Sequence, residues 1–435
     1  MNGTPLTRED VCNLLRSILL FMSKGQHLAD EARVFARLGA AGLKDTAGYA
    51  ARFFGLEAAV AESLAACPDF RHWADIVFDA LRDGGEHVLN FSTSGSTGTP
   101  RYWAFTPEEL EQEAQSLAPF FADRRRVVSV MPLHHVFGFA FALMLPKALG
   151  IPVLFMPPLP TADFFRELRS GDMVLGFPLF WKSVLGACTG ESAFSCPPNL
   201  HGVTSAAPCP PELIEELLQA QPAIISGMTE IYGATEFGAV GIRRDCRGPY
   251  ALLGHFSRAP LGRAPDAAGE TAAEWGIKRP GGEPQPLPDE VEWLDGINFL
   301  PVRRRDMAVQ VGGRNVFPSL VAGLLSTHPK VRECSVRLMR PEEGMRLKAF
   351  VVMTDAAAPF AGPETARELR KWLHRKLYPE EVPRAICFGR ELPRTLSGKS
   401  ADWDISDPDG EKGPIRQPFR AGSGRSRVEG RGSKP

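Results

Sequence analysis

A short stretch rich in hydroxyl side chains and glycines is the first candidate for chemistry in this chain. Residues 93–101 read Thr-Ser-Gly-Ser-Thr-Gly-Thr-Pro-Arg. Gly95 and Gly98 let the backbone turn successive N–H groups inward, which makes a nest for an anion. The sequence therefore predicts a phosphate-binding loop, with a polar surface turn as the alternative. The candidate ligands are Thr93, Ser94, Gly95, Ser96, Thr97, Gly98 and Arg101.

A second string, Tyr232-Gly233-Ala234-Thr235-Glu236, suits a ligand with a flat base and a triphosphate. Tyr232 can stack on a purine, and Gly233 allows the backbone to approach closely. The Thr235 hydroxyl can bond a phosphate oxygen. The Glu236 carboxylate can hold Mg²⁺, which prefers carboxylate and phosphate oxygens. The alternative is a strand end with a chance Thr-Glu pair.

A third string, Pro393-Arg394-Thr395-Leu396-Ser397-Gly398-Lys399, lies near the C-terminal end. In this order the three strings resemble the signature of the adenylate-forming superfamily, which comprises acyl- and aryl-CoA synthetases, peptide-synthetase adenylation domains and luciferases. The resemblance covers roughly residues 88–403. One departure is Arg101, where the family usually has lysine, although arginine can also hold phosphate oxygens.

The resemblance implies a two-step reaction. A carboxylic acid and MgATP give an acyl-adenylate and pyrophosphate, and a thiol then displaces AMP to give a thioester. In this scheme Lys399, Thr235 and Glu236 are the catalytic residues, with Glu236 also the metal ligand. Lys399 would bridge the carboxylate and the α-phosphate, neutralising charge as it builds. A solvated surface lysine is the alternative.

The acid pocket is predicted from two further likenesses. Residues 132–138 resemble the family's Pro-x-x-His-x-x-Gly segment, which implies that His135 lines the pocket entrance and that Phe137 starts the helix beside it. His135 is a binding candidate and not a general base, because a carboxylate is already nucleophilic at neutral pH. A structural histidine is the alternative. Ala207 lies in a Ser-Ala-Ala-Pro turn, and in relatives the matching turn lies alongside the adenine and the acyl group.

The nucleotide's ribose and the domain hinge have candidates as well. Relatives carry Thr-Gly-Asp before the hinge, and this chain lacks that string. Asp289 stands at the matching distance before Arg304 and is therefore the candidate ribose ligand; an exposed loop aspartate is the alternative. Arg304-Arg305-Asp306 resembles the hinge, with Arg304 near the nucleotide and Asp306 absorbing the rotation of the small domain. Gly312-Gly313 stands where relatives have a glycine beside the pantetheine tunnel.

These residues require a scaffold of alternating strands and helices. The alternation predicts an α/β fold with a parallel-rich sheet, followed by a compact α+β pattern. The resemblance implies that these are the large α/β domain of a trimmed adenylate-forming fold and its small C-terminal α+β domain. The predicted divisions are a helical N-terminal segment (1–87), the large AMP-binding domain (88–303), the small domain with the catalytic lysine (304–405) and a disordered tail (406–435). Residues 152–156 are predicted as a buried strand, 223–226 as a strand, and 244–288 as a break in the pattern.

The N-terminal segment has its own ambiguity. Residues 38–43 resemble the Leu-Gly-x-Asp-Ser-Leu segment of acyl carrier proteins, with Gly42 in place of the serine that bears phosphopantetheine. That likeness implies a degenerate carrier that cannot hold the prosthetic group. A helix end capped by glycine is the alternative.

Composition narrows the function classes. The chain has 435 residues, a net charge of −1 and 44% hydrophobic residues. This balance argues against a protein that coats nucleic acid or a membrane surface. The most apolar stretch, 136–159, is interrupted by prolines, a lysine and a glycine and falls short of the ~20 residues of a span. Eight unpaired cysteines and no evident signal peptide indicate the cytoplasm.

The sequence leads to three hypotheses. The first is an acid–thiol ligase that uses ATP, Mg²⁺ and a small carboxylic acid, with CoA or the phosphopantetheine thiol of an acyl carrier protein as acceptor. The second is an enzyme that stops at the adenylate or passes it to another nucleophile. The third is a nucleotide-binding regulatory protein without turnover.

Overall fold

The computed structural model describes residues 6–23, 31–83, 88–93, 101–190, 193–265, 271–305, 308–354, 361–393 and 401–405. Helices and strands have the following bounds. The helices are α1 (Arg8–Met22), α2 (Glu31–Phe53), α3 (Ala58–Ala66), α4 (Phe70–Asp83), α5 (Pro107–Leu117), α6 (Val136–Phe139), α7 (Leu145–Leu149), α8 (Ala162–Glu167), α9 (Pro178–Thr189), α10 (Pro211–Gln219), α11 (Pro318–Ser326) and α12 (Pro363–His374). The strands are β1 (Leu89–Thr93), β2 (Arg101–Phe105), β3 (Arg126–Ser129), β4 (Val153–Phe155), β5 (Asp172–Gly176), β6 (His201–Thr204), β7 (Gly227–Ala234), β8 (Gly238–Arg243), β9 (Tyr250–Leu252), β10 (Ser257–Pro265), β11 (Thr271–Lys278), β12 (Asp289–Trp293), β13 (Asn298–Arg304), β14 (Val309–Val311), β15 (Arg314–Val316), β16 (Val331–Leu338), β17 (Leu347–Met353) and β18 (Ala385–Gly389).

The central sheet has, among the described residues, nine strands in the order β12-β13-β9-β8-β7-β6-β5-β3-β4. Strands β4, β3, β5, β6 and β7 run parallel, and β7, β8, β9, β13 and β12 pair antiparallel. The predicted α/β class is therefore confirmed, although only one half of the sheet is parallel. Strand β7 lies at the boundary between the two halves.

Alternating side chains of the parallel strands fill two separate cores, as the period of two in a strand requires. Val127 of β3 packs into the core formed with helices α1–α5, whereas Val128 packs against α8, α9 and α10. The N-terminal helices thus share a core with the sheet. Helix α1 begins with a capping box between Thr7 and Asp10 and buries its apolar face there.

Three local predictions need correction. Residues 223–226 are not a strand: the N–H of Ile224 bonds the carbonyl of Leu217 at the end of α10, and the strand begins only at Gly227. Strand β4 is an edge strand and partly exposed, so it is not buried. The region 244–288 contains the hairpin β10–β11, whose Gly-, Pro- and Ala-rich sequence has poor intrinsic strand preference, so cross-strand contacts must supply its stability.

The carrier-like segment lies inside α2. The helix breaks at Gly39, which adopts φ +62°, and helical structure continues through Gly42 to Phe53. A glycine therefore marks a helix end in this segment, as the alternative expected, but it is Gly39 and not Gly42. Only a residue without a Cβ adopts the Gly39 conformation easily.

The C-terminal part builds its own core around β16, β17, β18, α11 and α12. Its three-stranded sheet has the order β16-β17-β18, and the hairpin β14–β15 precedes it. Within the described residues, no helix has the length and apolar character to span a membrane.

Candidate active site

A cleft of about 380 Å³ lies where the parallel strands end. Residues 205–207 follow β6, Tyr232 and Gly233 end β7, and Asp289 begins β12; all of them line it. In open parallel sheets, the carboxyl ends of the strands are where ligand crevices form. The topology therefore brings together strings that are far apart in the sequence.

One wall of the cleft joins Tyr232, Asp289 and Arg304. The Tyr232 hydroxyl donates to Asp289 Oδ2 at 2.6 Å, and Arg304 Nε lies 3.8 Å from Asp289 Oδ1. Asp289 and Arg304 are also register partners of β12 and β13. Burial and the nearby Asp289 carboxylate raise the pKa of Tyr232 well above its ordinary value, so the phenol stays neutral. Its ring packs edge-on against Phe299 at 5.3 Å.

The turn between β7 and β8 has no space for a side chain at Gly233. A Cβ there would lie 2.4 Å from the carbonyl oxygen of Gly238. Thr235 lines the cleft, and Glu236 follows it in the same turn. Within the described residues, no cluster of three or more metal-ligating side chains occurs.

The predicted acid-binding segment lies across the cleft and is held by the N-terminal helices. His135 is the N-cap of α6, and both His135 and Phe137 line the cleft. Ser17 of α1 accepts from the Leu133 N–H at 2.9 Å, and its hydroxyl lies 2.8 Å from Nδ1 of the buried His134. His135 is exposed at the cleft, and partial desolvation by the cleft walls and the Arg314 guanidinium lower its pKa, so its ring is neutral at pH 7. Sequence reasoning missed both Ser17 and His134 as site residues, because Ser17 lies in no motif and His134 occupies an unspecified position of the 132–138 segment.

A buried carboxylate, Glu113, also lines the cleft and was missed. It lies on the inner face of α5 with Leu110, Ala114 and Leu117, and only 1% of its surface is exposed. A charged residue at an apolar helical position was the signal that could have found it.

The turn after β6 and the small-domain hairpin meet at the cleft. Ala206 has φ +71°, which is a strained value for alanine. The neighbouring Ser205 Oγ donates to the Ile231 carbonyl at 2.9 Å, which helps to hold the turn in this conformation. A Cβ on Gly313 would lie 3.8 Å from the Cβ of Ala206. Arg314, which the sequence reasoning also missed, lines the cleft and packs 4.1 Å over the Tyr378 ring.

Several predicted residues lie outside the described parts of the chain: Ser94, Gly95, Ser96, Thr97, Gly98, Asp306 and Lys399. Their flanks are described. Thr93 and Arg101 are register partners at the ends of β1 and β2, and Ser92 lines the cleft. The N–H of Ala401 bonds the carbonyl of Pro393 at 2.9 Å, which closes the base of the segment that carries Lys399. Ala207 lines the cleft.

Two family models match the chain. One described as AMP-binding enzyme matches residues 85–262, and one described as AMP-binding enzyme C-terminal domain matches residues 321–399. A 4-coumarate–CoA ligase of Halorhodospira halophila is 34% identical over 416 residues, covering 91% of this chain and 99% of the relative. A 4-coumarate–CoA ligase of Rhodobacter capsulatus is 36% identical over 345 residues, covering 78% and 82%.

Solved structures share the fold. An amide bond synthetase from Marinactinospora thermotolerans has a TM-score of 0.56 at 22% identity, covering 72% of this chain and 67% of that one. A malonyl-CoA ligase, in a product complex with methylmalonyl-CoA and AMP, has a TM-score of 0.54 at 23% identity, covering 70% and 71%. The family models and the curated relatives confirm the predicted superfamily and enzyme type, and the solved structures support the fold. This chain belongs to the AMP-binding enzyme family of the adenylate-forming superfamily and is of the acyl- and aryl-CoA ligase type.

Proposed function

We propose that this chain activates a planar aromatic carboxylic acid with ATP and transfers the acyl group to the thiol of CoA. As an acid–thiol ligase it forms an acyl-adenylate first and a thioester second. The observation that supports the aromatic substrate is the cleft itself, which joins the Tyr232–Asp289–Arg304 wall to a slot beside Phe137. Two relatives are named 4-coumarate–CoA ligase. In that name, 4-coumarate is a planar aromatic acid and CoA is the acceptor proposed here.

The nucleotide would lie along the Tyr232 wall. Asp289 has a carboxylate at the cleft surface, an acceptor for the two ribose hydroxyls. The phenol of Tyr232 and the Arg304 guanidinium hold that carboxylate in place. The tyrosine ring would stack on adenine, and residues 94–100, which come shortly after the cleft-lining Ser92 in the sequence, would hold the phosphates.

The catalytic residues of adenylate formation would be Thr235, Glu236 and Lys399. Thr235 would bond the α-phosphate, and Glu236 would hold Mg²⁺, which supplies charge neutralisation at the phosphates when bound. Lys399 would bring a cation to the attacking carboxylate. Holding the carboxylate in line with the α-phosphate removes much of the entropic barrier, so positioning carries most of this step.

The acid would occupy the slot across the cleft. Its walls include Phe137 and small residues that leave room for a flat ring: Ala206, Ala207, Gly233, Ala234, Gly238 and Ala239. The neutral His135 would contact the acid at the entrance without acting as a base. This geometry suits a planar ring better than a bulky branched acid.

The thiol would arrive beside the small-domain hairpin. Gly313 approaches Ala206 there, and Arg314 adds a cation to the cleft. Rotation about Asp306 would exchange this arrangement for one that delivers Lys399.

All eight cysteines are free thiols, which fits a reducing, cytoplasmic setting.

The test is pyrophosphate exchange with a panel of aryl and fatty acids, followed by thioester formation with CoA and with a loaded acyl carrier protein. We expect exchange with aryl acids and product with CoA. Exchange with fatty acids alone would reject the aromatic substrate. Exchange without either thioester would favour an adenylate donor to another nucleophile, and a carrier-only product would replace CoA as the acceptor.

A further inference from the structure

The carboxylate of Glu113 is half-satisfied in the described part of the chain. Its Oε1 accepts the Ala239 N–H at 2.9 Å, whereas Oε2 is buried and has no hydrogen-bond partner among the described residues. A buried acceptor without a partner is destabilising, because it loses water and gains nothing in return. Such a group calls for an explanation in terms of a ligand or an ordered water.

Glu113 lines the cleft together with Gly238, Ala239 and Phe137, and its unpartnered oxygen is buried within this wall. A Cβ on Gly238 would come within 2.2 Å of Glu113 Oε2, so the absence of a side chain there makes room for that oxygen. Gly238 also has φ +77°, which favours glycine for a second, independent reason. The local sequence is therefore compatible with a carboxylate that reaches this end of the slot.

The charge around Glu113 decides which donor it can accept. Burial raises the pKa of Glu113 to about 7, and the Ala239 N–H and the nearby Arg279 guanidinium oppose that rise. The Arg279 side chain donates to the Phe237 carbonyl at 2.7 Å and lies 3.4 Å from Glu109. A cationic ligand group entering beside this guanidinium would be repelled, whereas a neutral hydroxyl would not. The environment therefore favours a neutral O–H donor.

We propose that Glu113 accepts a hydrogen bond from a hydroxyl group on the ring of the aromatic acid and so selects 4-hydroxyaryl acids over their unsubstituted analogues. This inference rests on the proposed function. A site built to bond a substrate hydroxyl rejects the analogue that lacks it, because its own buried polar atom is then left unpaired. Glu113 is in this sense a specificity residue and takes no part in the bond-making steps.

The experiment compares kcat/KM for 4-hydroxycinnamate, cinnamate and 4-methoxycinnamate in thioester formation with CoA. We expect wild type to favour 4-hydroxycinnamate over cinnamate by roughly 10- to 100-fold, as a hydrogen bond to a carboxyl group allows. In Glu113→Leu the ratio of the two kcat/KM values should fall to about one, because no acceptor for the ring hydroxyl remains. Glu111→Gln is the matched control, since Glu111 is exposed on the same helix, and it should keep the wild-type preference.

A preference that is unchanged in Glu113→Leu would overturn the proposal, and so would an equal loss on both acids, which indicates a structural role. If the leucine variant fails to fold, two other measurements decide: the kcat/KM preference of the isosteric Glu113→Gln, and the wild-type comparison of 4-hydroxy- with 4-methoxycinnamate. Equal kcat/KM of wild type for those two acids overturns the proposal. Failure of wild type to exchange pyrophosphate with any aryl acid would reject the proposed function itself. Exchange with all three acids at one rate rejects only the role of Glu113.

Discussion

Replacing the buried Lys348 by methionine should loosen the small domain and the segment that follows the predicted catalytic lysine. Lys348 lies in β17, and its side chain is fully buried. Its ammonium donates to Glu343 Oε2 at 2.7 Å and to the Trp403 carbonyl at 2.7 Å, and it pairs with Asp402 at 3.0 Å. Lys348 therefore ties residues 401–405 to the sheet, and Arg340 adds contacts to Asp402 at 3.5 Å and to Asp404 at 2.5 Å.

The size of the effect follows from these contacts. Removing one partner of a buried ion pair costs about 3–5 kcal/mol, because the other charge is left uncompensated. Arg340 still donates to Glu343 at 2.6 Å in the variant, so the lower end, about 3 kcal/mol, is expected. Methionine keeps the apolar stem of the lysine, which limits the loss to the polar contacts. The Trp403 carbonyl loses its donor.

Hydrogen exchange measured by mass spectrometry tests this locally, without assuming two-state unfolding of a protein with more than one domain. About 3 kcal/mol corresponds to roughly 100-fold faster exchange in β17 and in residues 401–405. Lys330→Met is the matched control: Lys330 pairs with Glu368 at 2.7 Å, but 41% of its side chain is exposed, so the expected loss is below about 1 kcal/mol. Exchange of β17 within threefold of wild type, or an equal effect of both variants, would refute the reasoning.

Three further perturbations concern the cleft. Lys399→Ala should abolish pyrophosphate exchange while ATP still binds, because the ammonium supplies charge at the reacting phosphate; retained exchange would reject this role. Glu236→Gln should raise the Mg²⁺ concentration needed for half-maximal exchange several-fold, since an amide is a weaker Mg²⁺ ligand, and an unaltered metal titration would remove that role. Burial raises the pKa of Glu113 from 4.5 to about 7, so the wild type keeps full stability below about pH 4.5 and loses roughly 3 kcal/mol as the pH rises through 7. Glu113→Gln lacks this titration and should therefore gain Tm over wild type at pH 8 but not at pH 5; a difference that is the same at both pH values would contradict it.

Sequence patterns identified the wall of the cleft but not its buried end. Tyr232 and Asp289 could be named because one lies in a recognisable string and the other stands at a characteristic distance before the hinge. Glu113 and Ser17 could not, since each is an ordinary residue of an amphipathic helix whose role depends on what packs against it. The strand assigned to 223–226 was wrong for a related reason: the apolar run is buried, but its backbone bonds the end of α10 and not a neighbouring strand.

The sequence by itself determined the family and the two-step chemistry, because both depend on short strings whose residue types are chemically constrained. It also determined the α/β class through the alternation of strand and helix patterns. Only the tertiary structure decided that Glu113 is buried in the cleft wall with one oxygen unpartnered among the described residues, and how Asp289 is held by Tyr232 and Arg304. It also decided that the N-terminal helix α1 holds the His135 segment. These facts are contacts between residues far apart in the chain, and no local propensity or motif spacing encodes them.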